Sequence, residues 1–159
     1  MRPAEMGDRR VLVVEDDATI RTLLDIVLSR NGLSVEAVAN GQDALTRLGE
    51  AHYCVLVLDL MMPVLSGYDL LTEIPTLRWR PHVVIVTTAA KPAETSFDPD
   101  IVSAMVSKPF DIFEFGDLVS NIVRSSDLKG VCPHSGVANP SECPPGARPT
   151  NRFMPPSRG

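Results

Sequence analysis

Four kinds of polar side chain follow apolar runs in this sequence: Glu15-Asp16-Asp17 after RVLVV, Asp59 after CVLVL, Thr87-Thr88 at the end of VVIVT, and Lys108-Pro109 after AMVS. Each run is rich in Val, Ile or Leu, so each polar group is expected at the carboxyl end of a strand. In an open parallel α/β sheet those ends line the crevice where ligands bind, which would bring acid, acid, hydroxyl and ammonium to one rim. Crowded carboxylates repel, and at neutral pH they coexist only if some protonate or a cation joins them. Magnesium answers that need, because it favours octahedral oxygen ligands, retains waters and takes one or two carboxylates with a phosphate oxygen. Asp16 and Asp59 suit it, and the backbone carbonyl of Met61 is a further candidate ligand. A carboxylate can also attack phosphorus to form an acyl phosphate if metal and cation offset the charge on the transferred group. On that reading Asp59 is the phosphoacceptor, Lys108 the cation, and Thr87 a hydroxyl sensing the phosphoryl oxygen.

Read singly, each of these residues has an ordinary explanation. An acidic cluster commonly stabilises a helix start, a strand-end Asp or Thr commonly bonds local backbone, and a lone lysine is commonly solvated. The joint occurrence at the ends of different strands favours a common site.

The elements that must position these groups are legible in the apolar patterning. RVLVV (10–14), SVEAV (34–38), CVLVL (54–58), VVIVT (83–87) and AMVS (104–107) read as strands. All but SVEAV are too continuously apolar for a sheet with one wet face, so the sheet is expected to be parallel and covered on both sides, with SVEAV at an edge. Between the first two strands Asp17 can cap a helix whose apolar positions are Ile20, Leu23, Leu24, Val27 and Leu28, with Asn31-Gly32 as its stop. A second helix is expected after Asn40 with Ala44, Leu45 and Leu48 inward, a third from Gly67 to Ile74, and a last from Asp111 to Val123 with Leu118 and Val119 inward. Pro92 and Pro99 weaken the fourth crossover, whose helix should be short or irregular. The whole is an α/β, doubly wound (βα)5 pattern.

Of 159 residues, 44% are hydrophobic and 22% charged, which fits one globular domain with an appendage. The formal net charge of -5 disfavours direct DNA binding, and no apolar run is long enough to span a membrane or resembles a secretory signal, so a cytoplasmic location is expected. From about Ser126 the sequence becomes rich in proline and poor in large apolar residues, a composition expected to be disordered. Cys132, His134 and Cys143 fall there and make a poor zinc site, and with Cys54 in a strand-like run the cysteines give no disulfide framework. Trp79 is read as a local anchor beside Pro81, Met61 and Met62 as loop packing, and His52 and His82 as structural.

The motifs VLVVEDD, LDLMMPVLSG, IVTTA and SKPF, in that order, resemble those of bacterial response-regulator receiver domains across residues 8–125, leaving 126–159 as the tail. The resemblance implies a flavodoxin-like strand order of 2-1-3-4-5. It also implies a single-domain response regulator phosphorylated on Asp59 by a sensor histidine kinase or phosphotransfer protein, with Mg2+ (or Mn2+) as cofactor. Asp16 corresponds to the direct metal ligand and Glu15 to one acting through water. Thr87 corresponds to the switch hydroxyl and Lys108 to the motif lysine, with a cis peptide before Pro109. Gly67 corresponds to a family glycine in a backbone conformation awkward for other residues. Output would pass through protein contacts to a downstream target, or through a homodimer, at the face of the fourth helix, fifth strand and fifth helix. Such a domain is a signalling module and not a turnover enzyme.

Met105 stands where the family usually has an aromatic residue, Thr88 where it has a smaller one, and Met61 and Ala89 where polar groups assist water attack. Slow self-dephosphorylation is the expected consequence. The alternative is a metal-dependent phosphatase or phosphotransferase with an aspartyl-phosphate intermediate. Haloacid-dehalogenase-like enzymes place a second Asp two residues after the nucleophile, and here Met61 occupies that position.

Overall fold

The computed structural model describes residues 10–78, 80, 81, 83–89 and 97–128. Its elements are β1 (Arg10–Val14), α1 (Ala18–Arg30), β2 (Ser34–Val38), α2 (Gly41–Glu50), β3 (Val55–Asp59), α3 (Gly67–Glu73) with a 3-10 turn over Ile74–Thr76, β4 (Val83–Thr88), β5 (Ala104–Ser107) and α4 (Ile112–Leu128). The strands form one parallel sheet in the order β2-β1-β3-β4-β5. This is the doubly wound, flavodoxin-like arrangement expected.

Side-chain alternation along the strands divides the core in two. Val11, Val13, Val55, Val57, Val83 and Ile85 face one layer, where Leu24 and Leu28 of α1 and Phe115, Val119 and Val123 of α4 cover them. Leu12, Val14, Leu56, Leu58, Val84 and Val86 face the other, against Ala44 and Leu48 of α2 and Leu70 and Leu71 of α3. The uninterrupted apolar runs are therefore two interleaved faces, each buried against helices.

Capping follows the sequence closely. Asp17 accepts hydrogen bonds from the amides of Thr19 and Ile20, Asn40 from that of Asp43, and Ser66 and Asp69 form a capping box at α3. Gly32, directly after α1, has φ 85°, a conformation glycine adopts without penalty.

Several boundaries differ from the sequence reading. β3 begins at Val55 and includes Asp59, so Cys54 only leads into it. β5 is the second edge, and its residues are half-buried or exposed because it pairs with β4 alone. Leu23 is 42% exposed although its spacing fits the apolar stripe, since that stripe centres on Leu24, Val27 and Leu28. The last helix continues to Leu128, and Phe115 joins Val119 in its buried face. The fourth crossover is described only from Phe97, where the amides of Ile101 and Val102 both donate to the carbonyl of Asp98 in a turn. Residues 90–96, Trp79, His82 and the tail with its cysteines lie outside the described residues. His52 is buried, with Nε2 3.1 Å from the carbonyl oxygen of Arg80, in keeping with a structural role.

Candidate site at the carboxyl ends of the strands

Strand parity explains why four distant residues meet. Glu15 extends the series Val11, Val13; Asp59 extends Val55, Val57; Thr87 extends Val83, Ile85; and Lys108 extends Ala104, Val106. A period of two therefore gives all four the same face of the sheet. Asp59 and Thr87 are direct register partners, and the amide of Leu60 donates to the carbonyl of Thr87 at 3.0 Å. Thr88 has the opposite parity, shared with Val84 and Val86. Parity thus separates the two threonines that the sequence leaves adjacent.

At the centre lies Lys108, whose Nζ donates to Glu15 Oε2 at 2.9 Å and sits 3.3 Å from Asp59 Oδ2. Glu15 and Asp59 are both buried, whereas Asp16 is exposed. Asp59 Oδ1 accepts from the amide of Met61 at 3.1 Å, so it is the Met61 amide that contacts the acid. Glu15 Oε1 accepts from the amide of Asp17 at 3.2 Å. Among the described residues no hydrogen bond takes up the buried Thr87 hydroxyl. The Lys108-Pro109 peptide is cis, as expected.

The electrostatics match this crowding. Burial pushes the Glu15 carboxyl up from 4.5 to about 7, with Asp59 adding repulsion and the Lys108 hydrogen bond opposing. Burial alone would lower the Lys108 ammonium, but the hydrogen bond to Glu15 and the charge of Asp59 carry it above its ordinary value. Oxygen atoms of Glu15, Asp16 and Asp59 lie within 4.8 Å of one another. Three carboxylates against one ammonium leave excess negative charge, and an all-oxygen donor set with one exposed member fits a hard, partly hydrated divalent cation.

The loop between β3 and α3 packs against the end of β3 beside this site. Gly67 opens α3 and has no positive φ, contrary to the expectation of an awkward backbone conformation. Its requirement is close approach: a Cβ there would lie 2.4 Å from the carbonyl oxygen of Asp59 and 2.6 Å from Leu60 Cα. The awkward position in this loop is Val64, with φ 71° and 97% exposure. One residue that the sequence reading overlooked is Arg21, in the first turns of α1. Its Nη1 donates to the carbonyls of Glu15 at 2.9 Å and Asp16 at 3.3 Å. A cation one turn into a helix that starts with an acidic cluster was the available signal.

Several known proteins are similar to this chain in sequence or fold. Residues 11–120 match the family described as response regulator receiver domain. A probable transcriptional regulator, ycf27 of Porphyridium aerugineum, is 32% identical over 140 residues, covering 84% of this chain and 57% of that protein. The chain thus spans little more than half the length of that relative. The Francisella response regulator 1452 receiver domain is 27% identical with a TM-score of 0.66, covering 75% of this chain and 98% of that one. The Thermotoga maritima response regulator TrrA, solved in complex with Mg2+ and BeF, is 28% identical with a TM-score of 0.62, covering 72% of this chain and 98% of its own. Among the described residues no helix is long and apolar enough to cross a membrane.

Proposed function

Because this chain belongs to the response regulator receiver domain family, the phosphoacceptor modules of two-component signalling, we propose that Asp59 is its phosphoacceptor in a magnesium-dependent transfer from a histidine kinase or phosphotransfer protein. The observation that carries this reading is Lys108 Nζ joining Glu15 Oε2 and Asp59 Oδ2 at 2.9 and 3.3 Å, beside the exposed carboxylate of Asp16. In this reading Asp16 and Asp59 hold Mg2+ or Mn2+ directly, the Met61 carbonyl adds a ligand, and Glu15 acts through water. Bound metal supplies charge neutralisation and orientation of the phosphoryl oxygens.

The protein's own groups carry the rest. Asp59 is the nucleophile: its oxygen forms a bond to phosphorus as the bond from phosphorus to the donor breaks. The sheet and the Met61 amide hold its carboxylate in place. Lys108 then exchanges its contact with the Asp59 carboxylate for the new phosphoryl oxygens. The Thr87 hydroxyl, unpartnered among the described residues and level with Asp59, donates to one of them. A two-state equilibrium shifts only by the difference in such contacts between the states, and here Thr87 and Lys108 supply it. A downstream protein, or a second copy of the chain, would read the change at the face formed by the fourth crossover, β5 and α4. With Met105 half-buried in β5, no aromatic ring relays the Thr87 movement at that position.

Incubation with acetyl phosphate and Mg2+ tests the constellation. Asp16→Asn and Lys108→Met should remain folded yet lose most adduct formation or the accompanying shift of the Thr87 resonance; unchanged behaviour of both would remove the proposed roles. The adduct on the wild type should persist for minutes or longer, since the side chains at Met61 and Ala89 offer no polar group to an attacking water. Decay within seconds would contradict this. The phosphatase alternative gains no support: the residue two beyond Asp59 is Met61, whose side chain is exposed and without acid-base chemistry.

A further inference from the structure

Arg21 contributes to the acidic site without being one of its acids. Its Nη1 donates to the carbonyl of Glu15 at 2.9 Å and to that of Asp16 at 3.3 Å, from a helix that starts at Ala18. Other bonds tether the ends of this short loop: the Glu15 amide donates to the carbonyl of Val38, the Asp17 amide to Glu15 Oε1, and the Asp17 carboxylate caps α1. The Asp16 carboxylate itself has no hydrogen-bond partner among the described residues, and it is exposed. Its direction therefore depends on the backbone that carries it, and Arg21 grips that backbone on both sides of the Asp16 nitrogen and Cα.

We propose that Arg21 is a positioning residue for the divalent-cation site: its guanidinium clamps the Glu15 and Asp16 carbonyls and so aims the Asp16 carboxylate toward Asp59. The proposal rests on the magnesium reading above. It makes a counterintuitive prediction, because the two effects of a guanidinium here have opposite signs. Its positive charge alone repels a cation, so removing it would tighten metal binding. Its clamp pre-organises a ligand, so removing it weakens binding, in the way that outer-shell partners of metal ligands do.

Calorimetric titration of the full chain with MgCl2 separates the two. Arg21→Met, which keeps the apolar stem and a good helix former, should weaken Mg2+ binding by about tenfold, and Arg21→Lys, which keeps charge and a donor, should recover part of the loss. Arg21→Gln, too short to reach both carbonyls, is a second test should Arg21→Met fail to fold, and it too should bind more weakly. Thr22→Ala removes a neighbouring bond within α1, Thr22 Oγ1 to the Ala18 carbonyl at 2.8 Å, with no atom on the acidic loop. It should leave Mg2+ affinity unchanged, so that a general loosening of α1 is distinguished from loss of the clamp. Wild-type or tighter affinity in the folded Arg21 variants overturns the proposal while leaving the site intact. No Mg2+ binding by the wild type, or binding indifferent to Asp16→Asn, overturns the site reading and this inference with it.

Discussion

Glu15 carries the most consequential charge at the residue scale. Burial raises its carboxyl from 4.5 to about 7, so in metal-free protein it is neutral in both folded and unfolded states at low pH. As pH rises from 4.5 the unfolded chain ionises first, and folding stability falls until the folded-state value near 7 is passed. The loss is on the order of 3 kcal/mol. Lys108 is raised from 10.5 and so leaves this window untouched. Urea unfolding in EDTA should therefore show the wild type weakening between pH 5 and pH 8 and Glu15→Gln weakening much less; equal slopes would contradict the assignment. Most of the site's side chains were legible in sequence because each ends an apolar run. Thr87 was preferred to Thr88 from its place at the end of VVIVT, whereas the parity that turns the two hydroxyls to opposite faces is hidden by a run of consecutive buried residues. Arg21 was missed because its partners are the backbone carbonyls of Glu15 and Asp16, and its place one turn after the acidic cluster hints at a cation there without showing what it bonds.

The loop from β3 to α3 shows best, at the scale of elements, how local backbone serves the site. Gly67 packs against the Asp59 backbone so closely that Gly67→Ala, with its Cβ directed at the Asp59 carbonyl, should cost about 3 kcal/mol, at the upper end of the range for overpacking because the obstructing atoms are backbone. Val64 is the converse case: a β-branched residue at φ 71°, almost fully exposed, gaining nothing from its side chain. Val64→Asn should stabilise the fold by about 1 kcal/mol, since Asn tolerates the left-handed region. A lower thermal midpoint for that variant would show that Val64 makes a contact outweighing its backbone. Strand and helix identities were readable from periodicity and caps. The glycine's reason was not, because close approach between loop and strand is a tertiary fact. Similarly, the apolar spacing that included Leu23 could not tell which side of the stripe the sheet would cover.

Across the whole molecule, the described fold buries two apolar layers around a parallel sheet and gathers the candidate site residues at one end. The strand order was anticipated, and α4 runs to Leu128, five residues past the helix end expected at Val123. Ending the chain after residue 128 should therefore leave the thermal midpoint and Mg2+ affinity unchanged. A fall in either would assign residues 129–159 a part in the fold. Ligand that binds only the folded state stabilises it by mass action, so Mg2+ should raise the midpoint of the wild type and not of Asp16→Asn. In the proposed function, three acids and a lysine gathered at the strand ends make Asp59 a phosphoacceptor. Intact-mass analysis after incubation with acetyl phosphate tests it most directly: one phosphoryl adduct on the wild type with Mg2+, none with EDTA, and none on Asp59→Asn. Absence of an adduct on the wild type, or its persistence on Asp59→Asn, would contradict that claim.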